Sequence, residues 1–458
     1  YNSAIEVVKN ISDYFGRQPK IPNWVYDGII LGIQGGNEIV EKKISIALEA
    51  DIPVNAVWCQ DWQGIRMTSL GQQLFWNWIY DKKLYPDLPK FIKNLHKQNI
   101  KFLGYICALL NIEGDQYKEA EKNGYLLKDK SGTPITIRSS DFLVGIVDFS
   151  NRDATQWFKN IIKNEMIKIG LDGWMTDYGE YCVTNASIEL DLEGANFHNY
   201  YPVLYAKSVY EVLKETNTLS ELFVFHRTGY NESIPYMMSY WAGDQLVNWD
   251  KELGLPSVIP CGLSIGLGGV GNYHFDIGGF TTYREFKREK ETFIRWVELG
   301  AFSLIMRTHE GNMPSKNWQF DSDEETLHHL SKMVKIHVIL KPYIKSLEEE
   351  YQELGIPPMR PCFLHYEQDQ TLNNLKFQYL FGRDLLVAPV IKPDKQTWKV
   401  YLPEDDWIHI WTEKEYKSGW LEIESPLGEP PVFYRKESLF RNIFRSVFHL
   451  HYSYSNPE

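Results

Sequence analysis

Three carboxylates, Asp172, Asp177 and Glu180, fall within nine residues of the run DGWMTDYGEY (172–181), threaded between Trp174, Tyr178 and Tyr181. Sixty-seven positions after Asp177, the run SYWAGDQ (239–245) again carries apolar residues into a single acid, Asp244. An acid in a stretch that favours burial must be exposed, paired or used. Two carboxylates at neighbouring strand ends are the tools of glycosidic bond cleavage. One, ionised, attacks the anomeric carbon; the other, protonated, delivers its proton to the leaving oxygen. Taken singly, either acid reads as readily as a turn or cap residue.

The other candidate strand ends change that balance. The second strand ends on Gln60-Asp61-Trp62, the fifth on His226-Arg227 and the sixth on Gly243-Asp244-Gln245; His274 and Asp276 end the seventh, and Arg307-Thr308-His309 the eighth. One polar residue at a strand end is a solvated end. Six in phase are a ring converging on one pocket.

The elements that must position these groups are legible as short, nearly continuous apolar runs at 28–34, 54–62, 100–110, 173–179, 222–229, 237–244, 272–279 and 302–310. Such runs suit strands buried on both faces. Helical stripes lie between them, near 37–50, 87–98, 151–169, 199–217, 283–299 and 322–340. Eight strands alternating with helices predict a (β/α)8 TIM barrel over residues 1–340, whose C-terminal strand ends build the active site. A doubly wound sheet is the runner-up. Past 341 the helical stripes fade, and runs at 377–391, 397–403, 407–412 and 419–424 predict a C-terminal all-β domain of sandwich type over 341–458. Asp172, at the start of the fourth strand, reads as a scaffolding acid. Asp177 is the reactive candidate, and Glu180 a residue that orients its neighbours.

The chain has 458 residues, a net charge of −12 and 14% aromatic residues, which fits a sugar-stacking cleft or a large core. No long basic run favours nucleic acid. No apolar run reaches the roughly 18 residues that predict a membrane span. The first residue is Tyr1 and no signal peptide precedes it, which predicts a processed or truncated product. Five scattered cysteines read as reduced thiols. Gly266-Leu-Gly268-Gly269-Val-Gly271 matches a dinucleotide fingerprint but precedes a strand instead of following the first one, so it reads as a loop. HExxH is absent from the sequence, and neither a metal nor an organic cofactor is expected.

DGWMTDYGEY and SYWAGDQ, with GIILGIQGG (28–36), QDWQGIRMTS (60–69), FLGYI (102–106), DIGGF (276–280), RTHEG (307–311) and FGRDLLVAPV (381–390), resemble the retaining α-glycosidases of glycoside hydrolase family 31, and within it the sulfoquinovosidase branch. The likeness spans nearly the whole chain. The family also carries an N-terminal β-sandwich ahead of the barrel, to which no part of this chain corresponds. The resemblance implies Asp177 as nucleophile and Asp244 as acid/base. It places Asp61, Arg227, Trp241, Arg307 and His309 around the sugar, and implies a carboxyl separation near ~5–5.5 Å. Around the sulfonated end the branch uses two Gln, an Arg, a Trp and a Tyr. The matching positions here are Gln34, Gln60, Gln73, Trp76 and Phe280, so Gln73 replaces the Arg and Phe280 the Tyr. An Arg fork gives a sulfonate charge-assisted paired bonds that an amide cannot, a difference on the order of 1–2 kcal/mol. Arg66 is the nearest other cation in sequence. The expected substrate is an α-sulfoquinovoside. An uncharged α-hexoside, or sugar binding without catalysis, are the alternatives. The bacterial-type likeness points to the cytoplasm, and homo-oligomerisation is left open.

Overall fold

The computed structural model describes residues 3–188 and 194–455. Seven parallel strands lie side by side in chain order. They are β1 (Ile29–Gly32), β2 (Val54–Trp58), β3 (Lys101–Cys107), β4 (Gly173–Asp177), β5 (Phe223–His226), β6 (Ser239–Trp241) and β7 (Tyr273–His274). Apart from Val54 and Lys101 at strand starts and Tyr240 in β6, their residues are buried, as their unbroken apolar runs require.

The ring closes at the expected eighth strand, by two single bridges instead of a ladder: Ile30 with Arg307 and Ile277 with Thr308. The bonds run both ways. Thr308 N donates to Ile30 O at 3.0 Å, and Ile277 N to Arg307 O at 2.9 Å. Directly after Ile277 the backbone turns away through Gly278 and Gly279, at φ of 100° and 69°, which ends the pairing at once.

Helices fill the gaps between strands and carry their own start signals. Asn151 Oδ1 accepts from Ala154 N at 2.9 Å to open the helix Arg152–Ile161, and Asp323 Oδ1 accepts from Thr326 N at 2.8 Å to open Glu324–Leu354. The glycine-rich run differs from expectation. Val258–Leu267 is an α-helix, because Val258, Ile259 and Leu263 bury one face, and only Gly268 and Gly269 form the turn before β7.

The expected boundary at 340/341 falls inside the 31-residue helix Glu324–Leu354. Beyond it comes a six-stranded sheet in the order 359–360, 379–381, 385–387, 432–435, 407–409 and 415–416, with a separate ribbon of 397–402 against 419–424. The expected strand 377–391 is a hairpin broken at Gly382. The C-terminal helix Arg441–Ser455 packs back on Glu324–Leu354. No helix among the described residues is long and apolar enough to cross a membrane.

Candidate active site

Polar side chains gather where the strands stop. Asp177 is the last residue of β4, beside Cys107 at the end of β3. Its Oδ2 accepts from the Tyr105 hydroxyl at 2.5 Å and its Oδ1 from Tyr178 N at 2.8 Å. Arg227, one residue past β5, brings Nη1 to 3.1 Å from Asp177 Oδ1 and 3.3 Å from Asp244 Oδ2, and Nη2 against Glu180 Oε1. Thr228 Oγ1 donates to the other Glu180 oxygen at 2.5 Å. The guanidinium lies over the Tyr178 ring, 4.1 Å from its centroid. One cation thus ties together three acids from two loops. Glu180 holds the cation in place from the side.

Burial pushes the Asp177 carboxyl up, while Arg227 and the Tyr105 hydroxyl pull it back toward the ionised form. Asp244 has fewer donors and is pushed up to about 7 by its dense surroundings, against the pull of Arg227; the charges of Asp177, Asp276 and Glu180 add to the rise. Its side chain keeps 42% of its surface open, so it sits in a crowded pocket wall that water can still reach. The two carboxyls share a cation and titrate as a pair, with the proton favoured on Asp244.

Asp61 sits in the turn Gln60–Gln63 after β2, where Gly35 N and the Tyr85 hydroxyl each donate to it at 2.7 Å. Full burial nevertheless pushes it up to about 6. His309 Nδ1 accepts from Gly311 N at 2.9 Å, and burial with Arg307 and Arg288 nearby holds the ring neutral. That bond leaves the proton on Nε2, a donor for the pocket. Gln34 is fixed by Gln72, whose Nε2 donates to Gln34 Oε1 at 2.8 Å, and its own backbone N–H donates to Glu310 Oε2 at 2.7 Å. Trp76, held at φ 57°, packs edge-on to Tyr178 at 5.2 Å.

Gln60, Gln73, Trp76, Asp177, Asp244, Phe280 and His309 line one pocket, joined by Gln72, Leu74, Tyr105, Met175 and Tyr178. Arg227, Glu180, Gln34 and Asp61 support it. Five expected sugar contacts are not among the lining residues: Gln34, Asp61 and Arg227, which hold lining groups or loops from behind, and Arg307 and Trp241, which lie deeper. Arg307 is fully buried inside the barrel, with Nη2 2.5 Å from Asp276 Oδ1 and its guanidinium between Trp58 and Phe225, each 4.6 Å away. Trp241 is buried against Phe225 at 5.7 Å. Neither lines the pocket. Arg66 is also absent from the lining. It lies over Phe75 and Phe142, and Nη2 is 3.3 Å from Glu113. Sequence reasoning missed Tyr105 and Gln72. Tyr105 could have been found by parity, since it lies two residues before the end of β3 and so on the same face as Cys107. Gln72 carries no such signal, because its place depends on how the hairpin 65–74 folds over the barrel.

Asp172 behaves as scaffolding. At the opposite end of β4 it accepts from Phe102 N at 2.9 Å and binds His96 Nε2 at 2.7 Å and Lys101 Nζ at 3.1 Å.

A TIM barrel whose strand ends hold a paired, cation-bridged set of carboxylates defines the class of glycoside-cleaving barrels. Residues 22–347 match the glycosyl hydrolases family 31 TIM-barrel domain, and residues 355–440 match the family's C-terminal domain. The chain is 44% identical over 97% of its length to a sulfoquinovosidase of Escherichia coli K12, covering 66% of that protein. It is 38% identical over 97% of its length to a sulfoquinovosidase of Agrobacterium fabrum, covering 68% of that one. A family 31 sulfoquinovosidase structure from E. rectale, in complex with an aza-sugar inhibitor, superposes with a TM-score of 0.96 at 44% identity over 98% of this chain and 68% of that one. This chain belongs to glycoside hydrolase family 31, and it spans about two thirds of the length of these relatives.

Proposed function

We propose that the protein hydrolyses terminal α-sulfoquinovosides with retention of configuration. The observation that carries this reading is Arg227 Nη1 lying 3.1 Å from Asp177 and 3.3 Å from Asp244. Those two oxygens are therefore no more than about 6.4 Å apart, which is compatible with the close carboxyl spacing of ~5–5.5 Å that retention needs. Asp177 attacks the anomeric carbon, and the bond to the leaving oxygen breaks as Asp244 protonates it. Asp244 then takes a proton from water, whose oxygen displaces Asp177. Tyr105, Tyr178 N and Arg227 favour the ionised form of Asp177, and the surroundings of Asp244 favour its acid form.

The sulfonate would meet neutral donors. Gln60 and Gln73 line the pocket, and the Trp76 indole N–H is buried there with no partner among the described residues. The identity to the two sulfoquinovosidases supports this substrate. A neutral α-hexoside is the second reading, favoured by a lining in which Gln73 and Phe280 stand and no Arg or Lys does. Turnover of aryl α-sulfoquinovoside, α-glucoside and α-galactoside by the parent and by Gln73→Arg decides between them. The sulfonated substrate should be preferred by the parent, with a further gain in the variant. A parent that prefers the neutral sugars overturns the first reading.

A further inference from the structure

A second cleft opens onto the carboxylate pocket and shares Gln73, Tyr178 and Phe280 with it. It encloses about 700 Å³ between the hairpin 65–74, the hairpin 136–146 and the loops that follow β4, β7 and the eighth strand. Its charged lining groups are Arg138, Arg284 and Lys316, and none of its described lining residues is Asp or Glu. That is a local reversal in a chain of net charge −12. The nearby Asp141 faces Ser69, whose N and Oγ donate to it at 2.6 and 2.8 Å, and it offsets part of the Arg138 charge. Among the described residues, three of the nine non-glycine positions at positive φ, namely Ser140, Tyr178 and Arg284, line this one cleft. Backbone strain of that kind gathers where shape is specified.

The cleft's position relative to the acids gives it a role. Thr281 lines it and its Oγ1 donates to Asp244 O at 3.3 Å. A leaving group departs past the acid that protonates it, so the space beside Asp244 is where the aglycone lies.

We infer that this cleft is the leaving-group subsite and that Arg138, Arg284 and Lys316 select an aglycone bearing an anion, a phosphate or a carboxylate. The inference rests on the glycosidase reading above. Exposed cations at a cleft mouth raise the local concentration of an anionic ligand, and added salt screens the effect.

The test compares 4-carboxyphenyl and 4-phosphonooxyphenyl α-sulfoquinovosides with the neutral 4-carbamoylphenyl compound. The ratio of kcat/KM, anionic to neutral, should be about tenfold at low salt, since several cations act together, and should fall toward one in 0.5 M salt, where the Debye length is only several ångströms. The triple variant Arg138→Gln, Arg284→Gln, Lys316→Gln should bring the ratio to about one. The arm with the larger ratio tells phosphate from carboxylate. A ratio of one in the parent overturns the inference. So does a triple variant that lowers all three substrates equally, because the cations would then be reading the sugar's own sulfonate. If no aryl glycoside is turned over, the same ligands are titrated calorimetrically into Asp177→Asn. A preference for the anionic ligands that the triple variant loses sustains the subsite although the glycosidase reading fails, and equal affinities overturn it.

Discussion

At the residue scale, Asp172 and Asp177 stand five positions apart at the two ends of one strand and do opposite work. Asp177→Asn removes the attacking oxygen and should lower kcat by at least ~10³-fold, measured on an aryl α-glycoside at saturation. Asp172→Asn loses a carboxylate that accepts from Phe102 N and meets His96 and Lys101. It should cost about 1–3 kcal/mol in urea unfolding and spare the chemical step. Asp244 gives the sign of the pH dependence. Its carboxyl, pushed up to about 7, must carry its proton to assist departure, so activity should fall as pH rises through that value. Asp177 must be ionised, so the acid limb belongs to it. Pre-steady-state glycosylation rates from pH 5 to 9 check both, and a flat profile above 7 would remove Asp244 as the acid. Tyr105→Phe deletes the 2.5 Å bond to Asp177 and should move the acid limb upward, since a donor that favours the ionised form is gone.

At the scale of elements, the site depends on strands meeting at close quarters. Gly173 opens β4 with φ of 152°, and a Cβ there would stand 1.9 Å from Phe223 O on β5. Gly173→Ala must push β4 and β5 apart, and with them Asp177 and Arg227. A loss of about 3 kcal/mol or more, read as a lower thermal midpoint, is expected together with reduced kcat. Much of this level was legible in the sequence. The positions of β1 to β6 agree with the apolar runs to within a few residues, because burial on both faces leaves few polar positions. The eighth strand was legible as a run but not as two bridges, since pairing depends on where Gly278 and Gly279 turn the neighbouring chain. The helix Val258–Leu267 was hidden by its glycines, which weaken local preference that tertiary packing then overrides.

At the scale of the whole molecule, the barrel and the C-terminal sheet are joined by a buried ion pair. Arg295 Nη1 lies 3.0 Å from Glu298 Oε2 in the helix Lys290–Ala301. Arg295 Nη2 donates to Lys395 O and Ser425 O at 2.9 and 2.8 Å, and Glu298 Oε1 accepts from Gly428 N at 2.7 Å. Both side chains are essentially inaccessible. Arg295→Met leaves Glu298 buried without its partner and the carbonyls of Lys395, Ser425 and Pro426 without a donor, which should cost about 3–5 kcal/mol. Calorimetry should show the lower midpoint, and a value within one degree of the parent would remove this pair as the joint. The i,i+3 spacing of Arg295 and Glu298 is visible in the sequence, but nothing there marks it as the joint, because the backbone groups it binds lie 100 to 130 residues away.

The sequence alone determined the alternation of strands and helices, the family, and the two acids at strand ends. Each is written in local pattern, where a side chain's type and its spacing along the chain carry the message. Only the tertiary structure decided which polar groups meet. It put Arg227 on three carboxylates, turned Arg66 toward Glu113 and enclosed Arg307 beneath the pocket. It also brought Gln72 onto Gln34 and gathered Arg138, Arg284 and Lys316 around one cleft. Contacts between distant loops depend on the closure of the barrel, and the proton balance between Asp177 and Asp244 depends on burial and on a shared cation.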